Sequence, residues 1–192
     1  YEFADLIDQQ DKVRLLIDPT SSYAQAAAMA MGRAMDDVII AAATGTAYTG
    51  ETGATSESVQ TAIAASVGTG TGLNLVKLTT AKRLLDDADV DPSIPRHIIV
   101  GPEQLQNLLA VEQVTSSDYN TVKALVQGEI DSYLGFKFTV SNRLAKSGND
   151  RTCIVYAEDG ITLGIGKDIS ARIDERADKS YATQVYYCQS IG

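Results

Sequence analysis

The stretch SVGTGTGLNL, residues 66–75, places Gly68, Gly70 and Gly72 just ahead of a helix-like pattern. Glycines before a helix N-terminus are one way to cradle a phosphate or a dinucleotide, because bare backbone N–H groups then face the anion. The dinucleotide fingerprint needs G-x-G-x-x-G between a buried strand and a helix. Gly68 and Gly70 fit it, but position 73 is Leu and Gly72 comes one residue early. The preceding SVQTAIAAS makes a poor strand, and the acidic candidates Asp89 and Asp91 sit in a proline-bounded loop. A flexible joint is the better reading of the glycines.

Other near-motifs fail on similar grounds. GITLGIGKD (160–168) imitates a phosphate-binding loop, but five residues separate Gly160 from Gly166, and Asp168 follows Lys167 where Ser or Thr is required. The alternation of Ile161, Leu163 and Ile165 favours a strand there. Asp87, Asp89 and Asp91 open like a calcium loop, yet its sixth and twelfth positions are Pro92 and Ile98 instead of Gly and Glu. His97 is the single histidine and lies in RHIIV, a packed strand by its composition, so a triad has little to build on. The adjacent carboxylates Asp36 and Asp37 point in different directions on a helix. Cys153 and Cys188 form no CxxC pair, which argues against zinc; we expect both to be reduced and buried. No catalytic, cofactor-binding or metal site is expected, and no cofactor.

The elements that would hold any site read clearly in places. The run SSYAQAAAMAMGRAMDDVIIAAATG predicts a long helix over 22–43, with Ser22 and Gln25 as a capping box. Alanine fills nine positions from Ala24 to Ala43; Met31, Met35, Val38 and Ala42 share a face; Gly45 is the stop. An ordinary buried helix and a special structural role fit this pattern equally. TGTAYTGETGATSES reads as a loop and VQTAIAAS as a short strand or helical turn. Asn74 is placed to cap a second helix whose apolar face holds Leu75, Leu78, Ala81, Leu85 and Ala88. RHIIV is a strand stopped at Gly101-Pro102, and PEQLQNLL a helix opened by its proline. SSDYNTVKALVQG predicts another helix, while GFKFTVS, TCIVYA and GITLGIG predict strands. Residues 169–191 read as two long strands around the charged DERADKS.

Helix and strand signals do not alternate strictly, so the fold class is α+β and not a doubly wound parallel sheet. A length of 192 residues allows one sizeable core or two small ones. The net charge of −9 excludes a basic nucleic-acid binder. The uncharged run from Pro19 to Gly32 is shorter than the ~18 residues that span a bilayer, and no secretory signal is visible, so no membrane partner is expected. The chain starts at Tyr1 and stops just after a strand-like run, and so reads as a processed or partial product.

Several segments, in their order, resemble the major capsid proteins of tailed bacteriophages, particularly podovirus-like ones. They are YAQAAAMAMGRAMDDVIIAAATGTAYTGETG (23–53), LVKLTTAKRLLDDADV (75–90), RHIIVGPEQLQNLL (96–109), VTSSDYNTVKALVQGEIDSYLGFKFTVSNRL (114–144) and GITLGIGKDISARIDERADKSYATQVYY (160–187). The resemblance implies a fold shared with encapsulin nanocompartment shells and the herpesvirus capsid floor. Residues 1–49, with a spine helix over 22–43, and residues 151–192, with long C-terminal strands, would form a peripheral domain. Residues 50–150 would form a mixed axial domain around the symmetry axes. It implies a non-enzymatic subunit that assembles with itself into pentamers and hexamers of an icosahedral shell, with scaffolding and portal proteins as partners. That shell would enclose DNA without sequence-specific binding, in a virion made in the host cytoplasm. Such proteins also carry an N-terminal arm and an extended loop; the arm is missing here, and residues 1–18 read as that loop's returning limb. Arg33, Asp36, Asp37 and the cluster Arg172–Lys179 are solvated faces or inter-subunit pairs. A nanocompartment shell and a nucleotide-binding α/β enzyme are the alternatives.

Overall fold

The computed structural model describes residues 1–8, 20–57, 62–64, 66–68, 72–110 and 132–192. Gly70, half of VQTAIAAS and the helix expected from SSDYNTVKALVQG lie outside them. In chain order the elements are β1 (Glu2–Ile7), α1 (Thr20–Thr44), β2 (Ala47–Thr49), β3 (Thr55–Glu57), α2 (Leu75–Asp87), β4 (Arg96–Val100) and α3 (Pro102–Leu109). There follow β5 (Ser132–Tyr133), β6 (Phe136–Val140), β7 (Lys146–Ser147), β8 (Asp150–Arg151), β9 (Ile154–Ala157), β10 (Ile165–Arg176) and β11 (Ala182–Ile191). They divide into two compact units, Tyr1–Ala41 with Leu163–Gly192, and Ala42–Thr162.

The first unit is a three-stranded antiparallel sheet, in the order β1-β11-β10, with α1. On the central strand β11, Thr183, Val185 and Gln189 are buried and share a face. Opposite them on β1, Ile7 pairs with Thr183 and Asp5 with Val185. The Gln189 side chain donates to the Met31 carbonyl at 3.3 Å, which sets the buried Ala27–Met31 face of α1 against this side of the sheet. Met35 and Val38 continue that face half-buried, whereas Ala42 is exposed. The helix begins two residues earlier than the capping pattern predicts, so Ser22 stands inside its first turn and is not the N-cap. Its alanines propagate a helix readily from any start, so the cap motif did not fix the boundary.

The second unit carries the larger core. β4 is the third strand of a mixed sheet in the order β5-β6-β4-β9, parallel to β6 and antiparallel to β9. β4 is buried on both faces, with Ile98 and Val100 on one and Ile99 on the other. Ile98 and Val100 pack with Leu78 and Ala81 of α2, Leu108 of α3, Phe136 of β6 and Leu73 just ahead of α2. Asn74 caps α2 as expected, its Oδ1 accepting the Lys77 N–H at 2.9 Å. Pro102 opens α3 at its first turn.

Three details of the strands could not be read from the sequence. β10 starts at Ile165, opposite Ile191, and not at Gly160. The buried face of β6 fades along the strand: Phe136 is fully buried, Phe138 half-buried and Val140 50% exposed. β9 pairs with β4, so residues 151–162 belong to the second unit; likewise β2 pairs with β3 and joins that unit.

Candidate assembly surfaces

Of the three glycines ahead of α2, Gly68 and Gly72 are closely packed. Gly68 holds φ +83°, and a Cβ there would stand 2.8 Å from Asn74 Nδ2 and 3.1 Å from Val76 Cβ. Asn74 Nδ2 in turn donates to the Val67 carbonyl at 3.1 Å, and Lys77 Nζ donates to the Gly72 carbonyl at 2.7 Å. A Cβ on Gly72 would run into Asn107 of α3 at 2.6 Å. Side chains of the protein therefore fill the space where a ligand loop would need room, and the glycines allow a close approach.

The remaining candidates are engaged apart from one another. Asp87 pairs with Arg83 one helical turn away at 2.8 Å. Asp91 accepts the Ser93 N–H at 2.8 Å, which holds its carboxyl below the usual range. Asp89 occupies the left-handed region at φ +60°. Among the described residues, no three His, Cys, Asp or Glu side chains gather as metal ligands. His97 stacks on Tyr156 with centroids 5.4 Å apart, and its Nε2 lies 3.9 Å from Glu158. An open groove of about 610 Å³ in the second unit is lined by Lys82, Asp86, Asp89, Asp91, Arg96 and Leu134, among others. Its two best-placed charges already serve the fold: buried Arg96 donates to Asp86 at 2.6 Å and to the Val90 carbonyl at 3.2 Å, tying β4 to the end of α2.

Both cysteines are free and half-buried, so the expected full burial is not observed. Cys153 lies at the edge of the second core, where burial pushes its thiol up. Cys188 on β11 meets Lys167 of β10, with Nζ to Sγ at 3.0 Å, and the ammonium pulls this thiol down. This cross-strand pair was invisible in the sequence, since the two residues are 21 positions apart. Within the charged cluster, Arg176 grips Asp178 through two bonds of 2.7 and 2.5 Å, and this holds the Asp178 carboxyl at about 2. Arg33 and Asp36 are exposed on α1, and Asp37 is half-buried.

What the molecule offers instead is surface. β10 lies at the edge of its sheet and is exposed along both faces, with Ile165, Ile169 and Ile173 at 57, 42 and 52%. Exposed isoleucines on an edge strand are a surface ready for another chain. No helix among the described residues is long and apolar enough to cross a membrane.

Comparison with known proteins agrees with that character. No protein of curated function matches the chain. All 192 residues superpose on a chain of Mycobacterium phage Che8 (TM-score 0.69, 20% identity), of which they cover 65%. They match a chain in the capsid structure of cyanophage P-SCSP1u (TM-score 0.64, 17% identity) and one in the mature capsid of bacteriophage PhiM1 (TM-score 0.59, 12% identity). In both cases the whole of this chain covers 66% of the other, so it spans just under two thirds of the chains it resembles. The α+β arrangement of a long helix, a mixed middle unit and long C-terminal strands is thus the tailed-phage capsid fold. The profile of the phage capsid protein family matches residues 1–192 from end to end, and the chain belongs to that family.

Proposed function

We propose that the chain is the shell-forming part of a major capsid subunit, which assembles with itself into the icosahedral head around a phage genome. The observation that carries this reading is the family match over every residue of the chain. The unit of α1 and the β1-β11-β10 sheet serves as the peripheral domain, and Ala42–Thr162 as the axial domain around pentamer and hexamer centres. The work of such a subunit is repeated self-association, a non-catalytic task. Scaffolding and portal proteins are its further partners during assembly in the host cytoplasm. A net charge of −9 suits a wall that surrounds DNA without gripping it.

Electron microscopy of the purified protein tests the proposal. Rings or closed shells are expected. A monodisperse monomer that binds nucleotide at micromolar levels would overturn it, as would tight, salt-sensitive DNA binding.

A further inference from the structure

The outer edge of β10 has no strand partner among the described residues. Its pairing with β11 is broken by register shifts between Ile165 and Lys167 and between Lys167 and Ser170, then runs regularly from Ser170 to Arg176. Ile173 is the midpoint of that regular stretch. Arg172 lies opposite Tyr186 and Asp174 opposite Gln184, so these two charges stand on one face of the sheet. Ile173 lies opposite Val185 on the other face, yet it is 52% exposed where Val185 is fully buried. Arg172 and Asp174 are exposed and form no ion pair among the described residues.

We propose that this edge pairs with the same edge of a second copy, antiparallel about a two-fold axis at Ile173. Two three-stranded sheets then become one of six. In that register Ser170 faces Arg176, Ala171 faces Glu175, Arg172 faces Asp174, and Ile173 faces Ile173. No like charges meet, and symmetry makes the Arg172–Asp174 pair twice. A slip of one residue sets opposite side chains on different faces of the pleat. A slip of two residues sets Arg172 against Arg172 in one direction, or Asp174 against Asp174 in the other, and like charges directly opposite are destabilising. The charges therefore select the one register that uses the whole regular stretch. The bulges beside Lys167 bend the strand and end the pairing edge at Ser170. The two copies of Ile173 meet on the side that carries Val185, which lengthens the apolar face of both sheets.

This inference deepens the shell reading by naming one contact between subunits, and it rests on that reading for the supply of second copies. Ile173→Cys tests it on the whole chain. Residues directly opposite in antiparallel strands have Cα atoms about 4.5–5.5 Å apart, within disulfide range. Mild oxidation is expected to give covalent dimers of Ile173→Cys, beyond the background of the unsubstituted chain and of Ala171→Cys, whose symmetry mate is out of reach. Arg172→Asp is expected to weaken association about tenfold in sedimentation experiments, since two opposed pairs become repulsive. The swap Arg172→Asp with Asp174→Arg is expected to restore it. The pairing is overturned if the Ile173→Cys chain cross-links no faster than the Ala171→Cys chain, or if the swapped chain, folded by circular dichroism, stays as weak as Arg172→Asp. Normal shells in which the Ile173→Cys chains stay unlinked overturn the pairing and leave the shell reading intact. Linked dimers that build no ring or shell support the pairing and remove the shell reading.

Discussion

Replacing Gly68 by Ala is expected to destabilise the second unit by about 2–3 kcal/mol. The first contribution is conformational: an L side chain in the left-handed region costs about 1–2 kcal/mol, and Gly68 sits at φ +83°. The second is steric. The added Cβ would stand 2.8 Å from Asn74 Nδ2, 3.0 Å from Asn74 Oδ1 and 3.1 Å from Val76 Cβ. Val76 Cβ is fixed to the backbone of α2, so the helix or the turn has to move. Asn74 is no loose tip either, because it caps α2 and holds the Val67 carbonyl. Displacing it forfeits a cap worth about 1 kcal/mol.

Urea unfolding followed by far-ultraviolet circular dichroism reads the effect as a lower midpoint at unchanged slope. Asn74→Ala alone is expected to cost about 1–2 kcal/mol for the lost cap and hydrogen bond. The double variant should cost less than the sum by about 1 kcal/mol, because Ala at 74 no longer meets the new Cβ. Gly72→Ala has an ordinary φ, but its Cβ would meet Asn107 Nδ2 at 2.6 Å and the backbone-fixed Asn107 Cβ at 3.0 Å, so it is expected to cost about 1–2 kcal/mol. A Gly68→Ala chain within about 0.5 kcal/mol of the parent, or strict additivity with Asn74→Ala, refutes the packed-joint account.

Two further outcomes follow from the contrast between neighbouring environments. Cys188 should react with iodoacetamide faster than Cys153 at neutral pH, and Lys167→Met should slow it towards the Cys153 rate. A thiol whose folded pKa lies below its unfolded value stabilises the fold above that unfolded value, and loses the contribution as pH falls through the folded one. Lys167, whose pKa is raised by the same contact, contributes below its unfolded value and loses this as pH rises through the folded one, so the pair acts between the two titrations. Equal reactivity of the two cysteines, or no effect of Lys167→Met, would remove the pair. On β6, Phe136→Ala should cost about 3–5 kcal/mol in thermal or urea unfolding, and Val140→Ala under about 1 kcal/mol. Similar costs at the two positions would contradict the fading burial along this strand.

How far the sequence foretold the molecule depends on the range of the interaction concerned. The Asn74 cap, the Pro102 start and the β4 strand were legible because each is decided within a few residues. The start of β10 was not, since it is set by pairing with β11, and Ile165 meets Ile191, 26 residues further on. Likewise the glycine spacing was enough to exclude a dinucleotide loop, but the reason for Gly68 lies in a side chain six positions later that a turn brings back. The Lys167–Cys188 contact and the burial of Gln189 against α1 both need the sheet register, which alternation of residue types does not supply. Arg172–Lys179 could be seen as a charge cluster. Its division could not: Arg176 is paired with Asp178, while Arg172 and Asp174 have no ion pair among the described residues.

The two units differ in how much of their stability they hold by themselves. The second unit has a core of fully buried Leu78, Ile98, Val100, Leu108 and Phe136 beneath two helices and a four-stranded sheet. Among the described residues the first has three strands and part of one helix, and its longest strand buries neither face. A sheet that small, with an exposed edge strand, gains little from its own burial. Binding of another chain to the folded state alone adds stability by mass action, so such a unit becomes firmer as copies associate. An exposed edge also invites indiscriminate pairing, and Arg172 and Asp174 oppose that, since a foreign or slipped strand leaves them unmatched. Arg172 and Asp174 thus restrict completion of the sheet to a copy that presents the complementary order of charge.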